Sequence, residues 1–182
     1  ASSTSPAVSY VVAGPASITG TTKVGQKITC SITAGATITY KWTKNGAEVA
    51  GVTTKDVTVP ASWLNGSVTC SATVTKNATS VTQTSAAKTI ALGNAPVATV
   101  KPKLKGTFKV GKIITCAKGT WSPTPDSYKY AWFRGAKKIA GATKATYKLV
   151  KADKGKKVAC QVTVKKAGHA DGKAKSAAKL IS

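Results

Sequence analysis

Four cysteines, one histidine and five carboxylates are the side chains here best suited to chemistry. His169 stands in a glycine-rich stretch, Ala167-Gly168-His169-Ala170-Asp171-Gly172. A His-x-Asp pair in a loop supplies half of a catalytic triad. No free cysteine or activated serine is signalled beside it, so His169 reads as a turn residue. Glu48, Asp56, Asp126, Asp153 and Asp171 are too scattered for paired general acid–base work. Asp153-Lys154-Gly155 reads as a turn between strands. Calcium needs clustered oxygen ligands, and the acids are too few to provide them. Zinc needs four Cys or His ligands, and the cysteines are better used otherwise. These residues point to no enzyme, no metal and no cofactor.

The elements that carry the cysteines are written twice. Residues 20–30 read GTTKVGQKITC and residues 106–116 read GTFKVGKIITC. After a four-residue insertion in the second copy, Tyr40 and Trp42 match Tyr130 and Trp132. Ala50-Gly51 then matches Ala140-Gly141, Cys70 matches Cys160, and Ser85-Ala86-Ala87-Lys88 matches Ser176-Ala177-Ala178-Lys179. Each copy has the length of a small domain. The expected organisation is an N-terminal extension over 1–9, a first domain over 10–92, a short linker over 93–96 and a second domain over 97–182.

Four cysteines allow three pairings. One bond per copy, Cys30–Cys70 and Cys116–Cys160, treats the two copies alike. Each would close a loop worth roughly 4 kcal/mol in the chain-entropy model, and such bonds persist in oxidising compartments. Period-two alternation accompanies them. Val68, Cys70, Ala72 and Val74 share one face of 67–75, and Val158, Cys160, Val162 and Val164 share one face of 157–165. Glycine, proline and Asn-Gly pairs punctuate these runs, and no helical stripe with caps is present. The order Cys…Trp…Cys in an all-β chain marks an immunoglobulin-like sandwich. The fold class is therefore all-β: two tandem immunoglobulin-like β-sandwiches, each with one intradomain disulfide. Tyr40, Trp42, Tyr130 and Trp132 are the expected core markers, with Tyr128 facing the same way and Phe133 outward. The position of the antibody-type tyrosine corner, two before the second cysteine, holds Val68 and Val158.

The second copy carries Gly111, Gly119-Thr120-Trp121, Tyr130, Trp132, Gly141-Ala142-Thr143 and Gly168. On these marks it resembles the immunoglobulin-like repeats of secreted and surface proteins of actinobacteria. The resemblance covers 106–179, and 20–88 more loosely, since the first copy lacks the GTWSP segment. It implies an extracellular binding or spacer module without a defined ligand.

The 28 basic residues against 5 acidic ones give a net charge of +23. Up to Gly93 there are 7 lysines and 2 acids, net +5; beyond it 21 basic residues and 3 acids, net +18. Where the first copy shows threonine and serine outward, the second shows lysine. Lys101, Lys103 and Lys105 alternate, as do Lys157 and Lys165, and these five are the candidate polyanion contacts. Exposed lysines also discourage pairing of strand edges. Of the basic residues 27 are lysine and only Arg134 is arginine. Base reading favours the bidentate guanidinium, so sequence-specific nucleic-acid recognition is not expected.

No apolar run approaches the roughly 20 residues of a membrane span, and membrane insertion is not expected. The chain contains no methionine, and its opening Ala-Ser-Ser-Thr-Ser suits the mature side of a signal cleavage site. Secretion to the extracellular space or cell surface follows as an expectation. The four-residue linker predicts a semi-rigid rod. Tyr10, Val11 and Val12 form a β-prone run suited to strand addition on another molecule, and head-to-tail repetition of that contact builds filaments. The sequence thus favours a structural protein that assembles with itself or docks on another extracellular protein. The alternative is a monomeric module for an anionic cell-wall polymer or glycan.

Overall fold

Two-residue periodicity needs a second layer to cover its apolar side, and each copy supplies that layer from its own chain. The structure, a computed structural model, describes residues 12–34 and 37–182. It divides into two compact units with the cut between Gly93 and Asn94. The first contains β1 (Ser17–Gly20), β2 (Lys27–Ser31), β3 (Thr37–Lys44), β4 (Ala47–Glu48), β5 (Asp56–Thr58), β6 (Ser67–Lys76), β7 (Thr79–Thr84) and β8 (Lys88–Thr89). The second contains β9 (Val97–Val100), β10 (Lys103–Gly106), β11 (Ile113–Ala117), β12 (Thr120–Ser122), β13 (Ser127–Arg134), β14 (Lys137–Lys138), β15 (Thr146–Lys148), β16 (Lys157–Lys165), β17 (Gly172–Lys175) and β18 (Lys179–Leu180).

In the first unit β1-β2-β5 forms one sheet and β4-β3-β6-β7 the other, with β8 also paired to β6. The second unit repeats this as β10-β11-β15 and β14-β13-β16-β17, with β18 on β16. Cys30 on β2 bonds Cys70 on β6 (Cα–Cα 5.9 Å), and Cys116 on β11 bonds Cys160 on β16 (6.2 Å). Each disulfide joins the two sheets through a core that contains Trp42 or Trp132, both fully buried. A buried indole must place its N–H. Trp42 Nε1 donates to the Thr54 carbonyl and Trp132 Nε1 to the Lys144 carbonyl, each at 2.9 Å. Strand order, inter-sheet disulfide and buried tryptophan together define two immunoglobulin-like sandwiches.

The repeated glycine that ends β1 and β10 has a physical reason. Gly20 and Gly106 have φ of +93° and +115°, and a Cβ on Gly20 would lie 2.6 Å from the Lys27 carbonyl. The backbone there needs a residue free of that atom. The GTWSP insertion becomes β12, which pairs with β9 and buries Trp121, whose Nε1 donates to the Lys118 carbonyl at 2.8 Å. Tyr10 and Val11 lie outside the described residues, as does the 1–9 extension; Val12 is exposed.

The two cores also differ beside the central tryptophan. In the first unit Trp63 sits 6.2 Å from Trp42, ring centre to ring centre. Counting back from the second cysteine, its counterpart is Asp153, which is completely buried. Asp153 is therefore more than the turn residue its sequence context suggests. Arg134 Nε donates to it at 2.6 Å, the Val150 amide at 2.8 Å and the Tyr147 hydroxyl at 3.0 Å. Tyr147 stacks on Trp132 at 5.3 Å and occupies the place of Val57. One copy fills the volume with Val57 and Trp63, the other with Tyr147 and a bonded carboxylate.

Removing one partner of a buried ion pair leaves the other uncompensated. Asp153→Ala is expected to cost about 3 kcal/mol in urea unfolding of the second domain. The combination Asp153→Trp, Tyr147→Val and Arg134→Lys, which writes the first domain's solution into the second, should recover most of that loss. A combined variant no more stable than Asp153→Ala would show that the two solutions are not interchangeable.

Burial, followed by the hydrogen bond and charge of Asp153, raises the Tyr147 phenol above its ordinary pKa. The folded state then holds this proton more tightly than the unfolded chain does. The stability so gained is whole below the free-phenol value of about 10 and is lost as pH rises through the folded value. Tyr147→Phe should flatten the alkaline fall in melting temperature relative to the parent protein. Parallel curves for the two proteins above that pH would count against the assignment.

Candidate functional site

The outward face of β13, β16 and β17 gathers the candidate functional side chains of the second domain. Register places Lys129 opposite Thr163 and Thr163 opposite Lys173, a row of three across three strands. The next row is Ala131, Gln161 and Lys175. Phe133 pairs with Ala159 on one side and Lys138 on the other. Strand spacing of about 4.8 Å puts the backbones of Lys129 and Lys173 roughly 10 Å apart, with only a threonine between them.

Phe133 is half-buried, and the Lys175 ammonium lies 3.9 Å from its ring centre. A cation over a ring face is held by the ring quadrupole, so Phe133 positions Lys175. The concavity on this face is about 500 Å³ and is lined by Lys129, Phe133, Lys138, Gln161, Thr163 and Lys173 among others. Asp171 at its margin lies 3.8 Å from the Lys165 ammonium. The arrangement offers ammonium groups, an amide and a hydroxyl to an anionic, hydrogen-bonding ligand. It contains no nucleophile–base pair.

The same face of the first domain has other chemistry. Thr39, Thr73 and Thr82 form the row that matches Lys129, Thr163 and Lys173, and Lys41, Ser71 and Thr84 form the next. Their hydroxyls satisfy one another across the strands: Thr43 with Thr69 at 2.6 Å, and Ser71 with Thr84, Thr73 with Thr82 and Thr75 with Ser80 at 2.8 Å each. Lys41 is paired to Glu48 at 3.0 Å. On the other sheet, Lys27 and Thr29 hydrogen-bond Asp56 and hold its carboxyl below the ordinary value.

The five lysines singled out from the sequence are all exposed, but they do not form one patch. Lys103 and Lys105 belong to β10 in the sheet β10-β11-β15, with Lys101 just before them. Lys101 and Lys103 line a smaller hollow of about 360 Å³ with Lys179. Lys157 and Lys165 stand at opposite ends of β16 in the other sheet, roughly 26 Å apart at ordinary strand rise. The cluster built from Lys129, Lys138, Lys173 and Lys175 was not among them. Its signal is the alternation in YKYAWF and GKAK, which becomes a site only through cross-strand register. Of the core markers, Trp42 and Trp132 are fully buried, whereas Tyr40, Tyr128 and Tyr130 are half-buried against the core edges. Lys118 sits 4.3 Å above the Tyr128 ring.

His169 Nδ1 lies 2.9 Å from the Ala167 carbonyl, within its own turn. Among the described residues no group of three or more His, Cys, Asp or Glu could hold a metal ion, and no helix is long and apolar enough to cross a membrane.

No family model matches the chain, and no curated protein matches it. Solved structures do. The three N-terminal domains of the bacteriophage RB49 highly immunogenic outer capsid protein are 15% identical, with a TM-score of 0.39 over 89% of this chain. The chain spans 58% of that structure, less than two thirds of its length. The tandem Ig repeats of Dlar are 20% identical, with a TM-score of 0.28 over 86% of this chain and 88% of theirs. The amphioxus IgVJ-C2 molecule is 14% identical, with a TM-score of 0.36 over 87% of this chain and 98% of its own. Likeness at these levels carries no argument about function. The class of protein, a tandem immunoglobulin-like chain, rests on its own strand order, disulfides and buried tryptophans.

Proposed function

We propose that the chain is a non-enzymatic extracellular adhesion or structural module whose second domain binds anionic polymer on the outer face of β13, β16 and β17. The ligand class is a phosphate- or carboxylate-bearing wall polymer or glycan. The observation that carries the reading is the row Lys129–Thr163–Lys173 beside Lys138 and Lys175, set in a domain of net +18. The four equivalent positions of the first domain hold Thr39, Thr82, Thr84 and Glu48, and Lys41 on that face is paired to Glu48. Lysine is a compact, strongly hydrated point charge without the planar fork of arginine. Recognition by lysine rows is therefore selective for charge density rather than for base sequence. Two disulfides suit an oxidising compartment, which supports the extracellular placement.

Binding should weaken with salt as counterions compete for the polymer. The test is the salt dependence of affinity for heparin and for long-chain polyphosphate. Lys129→Gln, Lys173→Gln and Lys175→Gln together are expected to lower the log–log slope by roughly two units. An equal charge loss elsewhere, Lys101→Gln with Lys103→Gln and Lys105→Gln, should change it less. If the two triple variants behave alike, net charge alone accounts for binding and the face is not a site.

A further inference from the structure

We infer that the ligand of the face formed by β13, β16 and β17 is an acidic saccharide, with ring hydroxyls beside its anionic groups, rather than a bare polyanion. This deepens the binding role proposed above and rests on it. Lysines alone do not decide between the two, because an ammonium group donates to any anionic oxygen. The polar groups set among them do.

Gln161 and Thr163 are half-buried and line the concavity between the lysines. Their counterparts in the first domain, Ser71 and Thr73, exchange hydrogen bonds across the strands with Thr84 and Thr82, at 2.8 Å each. In the second domain the register puts Lys175 and Lys173 at those partner positions. Among the described residues the Gln161 amide and the Thr163 hydroxyl then have no hydrogen-bond partner. No buried side-chain polar atom among those residues is left unbonded, so both groups are open to the concavity.

The third group is Asp171 at the rim. Its side chain is 43% exposed and stands 3.8 Å from the Lys165 ammonium, beyond hydrogen-bond reach. An ionised carboxylate only accepts hydrogen bonds. Against a ligand made of anionic oxygens alone Asp171 repels; a sugar hydroxyl gives it a donor. Gln161 and Thr163 accept from such hydroxyls and also donate to ring and carboxylate oxygens. Tyr130 and Ala131 add an apolar stretch of lining, which suits the C–H face of a sugar ring and has no match on a chain of phosphates. At about 500 Å³ the concavity has the size of small-ligand sites. Binding by charge alone needs no hollow.

The experiment is isothermal titration calorimetry of the full chain with an oligogalacturonate and, separately, with linear polyphosphate. The first carries carboxylates and free hydroxyls; the second has no hydroxyls along its chain. Thr163→Val with Gln161→Met should weaken the oligogalacturonate roughly tenfold, the worth of one or two hydrogen bonds, and leave polyphosphate unchanged. Asp171→Asn should act with opposite signs, weakening the oligogalacturonate and tightening polyphosphate. Circular dichroism checks that each variant keeps the sandwich. An oligogalacturonate that fails to bind where polyphosphate binds would overturn the inference and leave the polymer reading standing. Variants that leave both ligands unchanged, or change both alike, would do the same. Binding of neither ligand, or binding indifferent to Lys129→Gln with Lys173→Gln and Lys175→Gln, would overturn the polymer reading and this inference with it.

Discussion

Each domain depends on the bond that ties its two sheets together beside a buried tryptophan. β2 and β6, or β11 and β16, belong to different sheets, and their cysteines meet at the centre of the core. The indole beside them fills the widest part of the interlayer space and disposes of its one polar atom by donating to a loop carbonyl. With the layers fixed from inside, the outward positions of the same strands are released from any role in holding the fold. A central strand such as β6 or β16 alternates strictly: its inward residues are buried apolar groups, and its outward residues are free to change. That division allows one architecture to carry hydroxyls in one domain and ammonium groups in the other.

The inward half of this design is legible in the residues themselves. The repeat, the period-two runs, and the Cys…Trp…Cys order specify layers, bonds and core without any knowledge of which strands are neighbours. The outward half is a property of pairing. Lys129 and Lys173 are 44 positions apart, and nothing local in the chain announces that Thr163 brings them into one row. Lys157 and Lys165 look equivalent by alternation, yet the strand that carries them separates them by its whole length. Asp153 is obscured for a similar reason. Asp-Lys-Gly has the composition of a surface turn, while the Arg134 and Tyr147 that justify burying its carboxylate arrive from two other strands.

The substitution of an ionic cluster for an indole inside a repeated fold also bears on how the copies diverged in physical terms. Trp63 fills the place with a large ring system packed beside Trp42. Asp153 needs three donors at once, because a buried carboxylate with an empty lone pair is costly. Arg134 takes the place of Lys44, whose ammonium reaches the Ser62 carbonyl instead. The guanidinium is the better choice at a desolvated site because it is more weakly hydrated and meets a carboxylate with directed N–H groups. The chain's only arginine therefore serves the interior, and the outward positive charge is carried by lysine.

The position of the disulfides has a mechanical consequence. In each domain the final segment returns to bond the stretch that follows β1 or β10: Ala91 with Thr22 and Val24, and Ser182 with Phe108 and Val110. A pull along the chain would load these contacts first. Once they yield, the stretches closed by the disulfides, with sequence separations of 40 and 44, stay out of reach of the force. At about 3.3–3.6 Å per extended residue, each domain withholds roughly 130–160 Å of slack. A tethered chain of this kind would lengthen by a short, fixed amount under load and then stiffen, behaving as a strap with a built-in stop.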